Sequence, residues 1–196
     1  PDTSGRGNDA LRPSNSSVGY PRYGEGQLNG HPVLRFAPDG SSWLAFNPIA
    51  DIRTVFWVVR ENAPGAHFLL GDNDQYDFHR DLSANYYFWE SANGWASPNV
   101  RAGTTKLMGT VVNGTTTALG AGYRLVSLVT AGNVTASRLS RDRNHQDPKD
   151  TRSWDGDVAE ILVYNRPLSS LEEQRVGGYL AAKYGLETTF VPPPTP

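Results

Sequence analysis

Cysteine is absent from this 196-residue chain, which rules out disulfides and thiolate metal sites and turns attention to carboxylates, the four histidines and aromatic side chains. Retaining glycoside hydrolysis needs two carboxylates about 5 Å apart, which a Glu-x-Asp-x-Glu strand can supply, and no such triplet occurs. The best substitute, Asp155, Asp157 and Glu160, fails on parity, since neighbouring strand residues face opposite ways and Glu160 then lies across from the two aspartates. Glu160 reads instead as a half-buried carboxylate that accepts backbone or arginine hydrogen bonds. His31, His67, His79 and His145 are scattered, with neither His-Glu-x-x-His nor Gly-x-Ser-x-Gly among them. A lyase would have only His79 or Tyr76 as proton acceptor beside Arg80. The sequence thus predicts no enzyme.

Without thiolates, the metal best suited to the oxygen ligands on offer is calcium. Asp72-Asn73-Asp74 with Asp77 gathers three carboxylates and an amide in one turn, without the glutamate that closes an EF-hand loop. The alternative is a turn whose Asp and Asn side chains cap their own backbone. Asp2 and Asp9 form a weaker second candidate. Gly5-Arg6-Gly7-Asn8-Asp9-Ala10 matches the glycine spacing of a dinucleotide fingerprint, but no strand precedes it and Pro13 follows, so no helix N-terminus is available to a pyrophosphate.

The aromatic residues carry the stronger expectation. Tyr86-Tyr87-Phe88-Trp89 reads as a strand with rings on both parities, and Trp95 follows in the polar run Ser91–Pro98. If one parity fills a core, Tyr87 and Trp89 project outward. Exposed rings stack on the C–H faces of sugars, and flanking polar groups hold the hydroxyls. The alternative is that Trp89 and Trp95 pack beneath a neighbouring loop. His79, Arg80, Arg143, His145 and Trp154 complete the candidate carbohydrate-binding set, the last three on the long polar loop from Arg141 to Trp154. That loop is either functional or a solvated crossover. Arg80, Arg101, Arg138, Arg141 and Arg143 fall in the second half and suit uronate or sulfate groups.

These residues need a scaffold. Short β-prone runs separated by turn residues extend from Val33: 33–37, 43–46, 52–60, 67–71, 76–80, 86–90, 106–112, 123–130 and 134–140. Turns fall at Asn113-Gly114, which suits a hairpin, and at Gly132-Asn133. Two runs, 54–59 and 158–164, are apolar on both parities and must have both faces covered, so they are central strands, between sheets or beneath a helix. After Asn165-Arg166-Pro167 breaks the second run, Ser169 and Glu172 form a capping box, and Lys183 and Gly185 close a helix near 170–184. Gly177 and Gly178 each weaken that helix by about 1 kcal/mol against alanine, so docking must sustain it.

Three segments carry a family resemblance: the ending DGDVAEILVYNRPLSSLEEQRVGGYLAAKYGL (155–186), the opening PDTSGRGNDA (1–10) and LNGHPVLRF (28–36). Together they resemble LamG-like, concanavalin A-like jelly-roll domains of large secreted bacterial proteins. The resemblance implies an all-β fold, a two-sheet antiparallel β-sandwich with one C-terminal helix packed on it.

Residues 1–190 fit one domain, which at this length buries roughly 70% of the surface its unfolded chain exposes. Val191–Pro196 has the composition of a proline-rich linker to neighbouring domains. Net charge is −2, with no lysine or arginine run, so nucleic acid is not an expected partner. No apolar run reaches the ~18 residues of a membrane span. The expected protein is a non-catalytic carbohydrate-binding module, secreted or on a bacterial cell surface, binding a polysaccharide or other glycan. The alternatives are a structural or adhesive module without a glycan site and, behind it, a polysaccharide lyase or glycoside hydrolase.

Overall fold

The computed structural model describes residues 1–12, 20–36, 42–62, 69–72, 74–81, 83, 85–141 and 154–191. Arg143, His145, His67, Asn73 and Pro192–Pro196 lie outside the described residues. Eight strands, β1 (Arg22–Leu28), β2 (His31–Phe36), β3 (Leu44–Glu61), β4 (Leu70–Gly71), β5 (Thr104–Leu107), β6 (Thr110–Val112), β7 (Arg124–Leu139) and β8 (Gly156–Tyr164), join in one hydrogen-bonded path. Its order is β1-β2-β8-β3-β7-β5-β6, with β4 on β7, and every pairing is antiparallel. Helix α1 (Pro98–Arg101) is one turn long, and α2 (Ser170–Tyr184) is the substantial helix. The molecule is thus mostly antiparallel sheet with a C-terminal helix docked on it.

The run that is apolar on both parities lies in β3 and is covered on both sides. Val55, Trp57 and Val59 face a core with Phe78, Phe88, Trp89, Val126, Leu128 and Trp154. Phe56 and Val58 face Leu125 and the helix side, with Leu168, Leu180, Ala181, Tyr184 and Phe190. β8 lies between β2 and β3, as a run apolar on both parities except at Glu160 required.

Helix α2 starts at the expected capping box: Ser169 Oγ accepts from Glu172 N while Glu172 accepts from Ser169 N, and Gly185 closes it in the left-handed region at φ 63°. Buried Glu173, one turn in, pins the helix to the sheet. It takes an ion pair from Lys106 of β5 and a 2.6 Å hydrogen bond from Ser127 Oγ of β7. Gly177 is explained by packing, because a Cβ there would lie only 2.4 Å from the ring of Phe190. Gly177→Ala is therefore expected to lower stability by about 1–3 kcal/mol despite its better helix propensity, read as a drop in melting temperature. A rise would show that Phe190 moves aside freely.

Several strand expectations are corrected. Runs 43–46 and 52–60 are one strand, β3, which continues through three register irregularities between Ala45 and Thr54. Gly132-Asn133 makes no turn and lies inside β7. The hairpin is not at Asn113-Gly114 but at Met108-Gly109, where φ values of 53° and 89° give the left-handed pair a two-residue loop needs. Asn113 instead caps its own turn through Thr115 N (3.0 Å), and Gly114 is needed for space, since a Cβ there would strike the Trp89 indole. Residues 76–80 and 86–90 are not strands. Tyr86 sits at φ 54°, and the following residues bond singly to different segments, Phe88 N to Thr117 O, Trp89 N to Gly114 O and Glu90 N to His79 O.

Candidate functional site

Because 86–90 is irregular, the strand alternation expected of its rings does not apply. Trp89 points inward at 3% exposure, packed among Trp57, Phe78 and Phe88, and donates its Nε1–H to Thr105 Oγ1 at 2.9 Å. The expectation that Trp89 projects outward is therefore corrected: a ring this large on a bulged turn finds more apolar area inside than out. Tyr87 is half-buried and makes an isolated bridge to Ala118.

Trp154, His79 and Arg80 are also buried. Arg80 pairs with Glu61 at 2.6 Å, donates to Tyr86 O at 3.2 Å, and lies 5.8 Å from the Trp154 ring. These three sequence-predicted sugar contacts therefore lie beneath the surface of this structure. They lie where Phe78, Phe88, Trp89, Ala96, Val100 and Val158 share one buried core with Trp57 and Trp154.

Among the described candidate sugar contacts only Trp95 is exposed, at 41%. Its ring rests on His79, centroids 5.0 Å apart, and His79 in turn meets the half-buried Tyr76 ring at 5.3 Å. His79 Nδ1 lies 2.6 Å from Arg80 O, which makes that nitrogen the donor and fixes the imidazole. The segment bearing Trp95 is clamped from beneath by Glu90, whose carboxylate accepts from Asn93 N (2.5 Å) and Trp95 N (2.8 Å). Ser97 then caps α1, and its N–H donates to Asp77 O. Trp95 is thus an exposed indole on a rigid mount, with exposed Asn93 held on the same Glu90 carboxylate and Ser91 exposed in the same segment.

Burial acts to raise the Glu90 carboxyl, but the hydrogen bonds from Asn93 and Trp95 and the charge of His79 outweigh it and hold it below the usual carboxylate range. A carboxyl depressed in the folded state contributes stability above its unfolded value, and that contribution disappears as pH falls through the folded value. Acidification below the usual carboxylate range is therefore expected to loosen the Trp95 segment. Amide exchange at Asn93 and Trp95 should accelerate there in the wild type and be fast and pH-independent, after correction for intrinsic exchange, in Glu90→Ala. Uniform protection in both would refute the clamp.

The metal candidates are engaged by partners within the fold. Asp72 Oδ1 accepts from Asp74 N and Gln75 N, and Oδ2 from Ser137 Oγ (2.7 Å), so it holds its own turn. Asp77 Oδ2 accepts from Thr135 N, while Asp74 is exposed. Burial, with the nearby Asp72 charge, keeps the Asp77 carboxyl above its ordinary range. Asp2 is likewise bonded internally, to Ser4 and Asn8. Among the described residues no group of three or more His, Cys, Asp or Glu side chains is placed to hold a metal ion.

The parity argument against Asp157 and Glu160 is also corrected. A bulge in β8 shifts the register, so Asp157 opposes Arg60 while Glu160 opposes Val58, and both lie on the helix side. They serve different partners: Glu160 accepts from Lys183 Nζ and Tyr184 OH, each at 2.9 Å, and Asp157 is held by arginines. Of the second-half arginines, Arg138 and Arg141 both lie over the Trp43 ring, at 4.7 and 5.3 Å, Arg80 is buried, and Arg143 lies outside the described residues.

Sequence reasoning missed Glu90 as the mount of Trp95. An acid placed three and five residues before the amides it caps was the available signal. No family model, no curated protein and no solved structure matches the chain. Among the described residues no helix is long and apolar enough to cross a membrane.

Proposed function

We propose that the chain is a non-catalytic carbohydrate-binding module of a larger secreted or cell-surface protein, with Trp95 as its sugar platform. One observation carries this reading: an indole exposed across two-fifths of its surface is fixed by ring contact with His79 and by the Glu90 clamp, at a point where burial would be the ordinary fate of tryptophan. A stacked sugar removes apolar area from water at about 25 cal/mol per Å², and a ring already immobilised loses little entropy on binding. Asn93 and Ser91 beside it supply donors and acceptors for hydroxyls.

The scaffold is read as the two-sheet, concanavalin A-like jelly roll that the sequence resembles. What supports it is the length of β3 (18 residues) and β7 (16 residues) together with their shared bulges. Strands that bend at bulges can pass from one layer to another, and Ile52, Val134 and Ala136 from one end of the pair join Val55, Trp57, Val126 and Leu128 from the other in a single core.

The test is retention on a polysaccharide panel for wild type and Trp95→Ala, with melting temperatures for both. Loss of retention with an unchanged melting temperature is the expected result. Retention of Trp95→Ala equal to wild type would remove Trp95 as the platform, and no retention of wild type on any polysaccharide would leave the structural or adhesive reading. Running the panel with chelator and with added calcium tests the structural calcium expected at Asp72, Asp74 and Asp77, since a site of that kind would raise the melting temperature in calcium.

A further inference from the structure

The helix side of the sheet carries a row of charge that the Trp95 site does not use. Arg22 of β1 stands opposite Arg35 of β2, Arg35 opposite Asp157 of β8, and Asp157 opposite Arg60 of β3. Residues directly opposite in antiparallel strands share a face, so the four side chains form one line across four strands, roughly 14 Å long at about 4.8 Å per strand. Tyr123, just before β7, extends it: its ring lies 5.0 Å from the Arg60 guanidinium.

One carboxylate sits in this row against three guanidiniums. Asp157 is fully buried and takes Arg35 Nε (2.7 Å) on Oδ1, with Arg35 Nη2 (3.0 Å), Arg60 Nη2 (2.6 Å) and Tyr123 OH (2.7 Å) on Oδ2. Burial acts to raise its carboxyl, but these donors hold it below the usual range, so it stays ionised, while the Tyr123 phenol is pushed up to about 12 and stays neutral. The row therefore keeps a net excess of two positive charges at neutral pH.

Neutralising Asp157 requires one arginine. The second adds an unmatched charge, and like charges directly opposite each other, as Arg22 and Arg35 are, destabilise a sheet. That arrangement is understandable if an anion completes it. The Arg35 and Arg60 side chains are 43% and 34% exposed, so Asp157 fixes guanidiniums that solvent still reaches. Their Nη1 groups have no acceptor among the described residues, and Arg22 is exposed without a protein partner there.

We propose that Arg22, Arg35 and Arg60, braced by Asp157 and Tyr123, bind the anionic substituents of an acidic polysaccharide, a uronate carboxylate or a sulfate ester. Planar guanidiniums held in a line present paired N–H donors to such oxoanions. The proposal takes its ligand class from the glycan reading above, but its residues are separate from Trp95.

Arg22→Glu is the informative variant, because Arg22 makes no contact whose loss would unfold the sheet. Affinity for polygalacturonate and for dextran sulfate is measured at low and raised salt, against a neutral glucan and duplex DNA. Wild type is expected to bind at least one acidic polymer in a salt-dependent way, and Arg22→Glu to weaken this about tenfold with an unchanged melting temperature. Which polymer binds distinguishes carboxylate from sulfate. Equal affinity of wild type and Arg22→Glu, binding of duplex DNA as tight as of either polymer, or no acidic binding at all would overturn the proposal. Trp95→Ala, run alongside, separates the two sites: neutral-glucan binding lost only in Trp95→Ala, with no acidic preference in wild type, would sink the arginine site and keep the Trp95 reading, whereas acidic binding sensitive only to Arg22→Glu would do the reverse.

Discussion

Glu173→Ala is expected to lower unfolding stability by about 3–5 kcal/mol, the cost of leaving a buried charge uncompensated. Lys106 is buried beside Glu173, and Ser127 spends its hydroxyl proton on the same carboxylate. Removing the acid strands both donors under the helix. The loss belongs to the broken pair and not to any large net gain from making it, so Lys106→Met combined with Glu173→Leu should recover most of the stability. Urea unfolding of the two variants decides this. If Glu173→Ala unfolds within about 1 kcal/mol of wild type, water reaches Lys106 and the helix is held by its apolar face alone.

Trp89→Ala is expected to cost a similar amount, about 3–5 kcal/mol, because it empties a site enclosed by Trp57, Phe78 and Phe88 and leaves Thr105 without its indole donor. The folded fraction of that variant should still bind whatever the wild type binds. A normal melting temperature with lost retention would return Trp89 to the surface role that the sequence suggested for it.

That reversal shows what the sequence could and could not carry. Helix α2 was readable to the residue, because Ser169, Glu172 and Gly185 each act through local backbone geometry. The central strands were readable too, since an apolar run on both parities has no other stable placement. The aromatic run 86–89 misled because period-2 reasoning presumes a ladder, and its amides bond singly to 114 and 117. Asn113-Gly114 misled for a different reason: Gly114 makes room for Trp89, a long-range need that no local pattern reveals. The arginine row was invisible because it depends on irregular pairing. Counting back from the Asn29-Gly30 turn with its Leu28–His31 pair would not place Arg22 opposite Arg35; the register shift between Gly24 and Leu28 does. In β8 a single bulge reversed the face assigned to Glu160 relative to Asp157.

The central claim is that Trp95, and not a buried ring, binds sugar, and it is tested most directly by titrating wild type and Trp95→Ala with the best-retained polysaccharide of the panel while following melting temperature. A loss of about 1–3 kcal/mol in binding free energy at unchanged melting temperature is the predicted result. Unchanged affinity in Trp95→Ala, or a fall in melting temperature large enough to account for the lost binding, would contradict it.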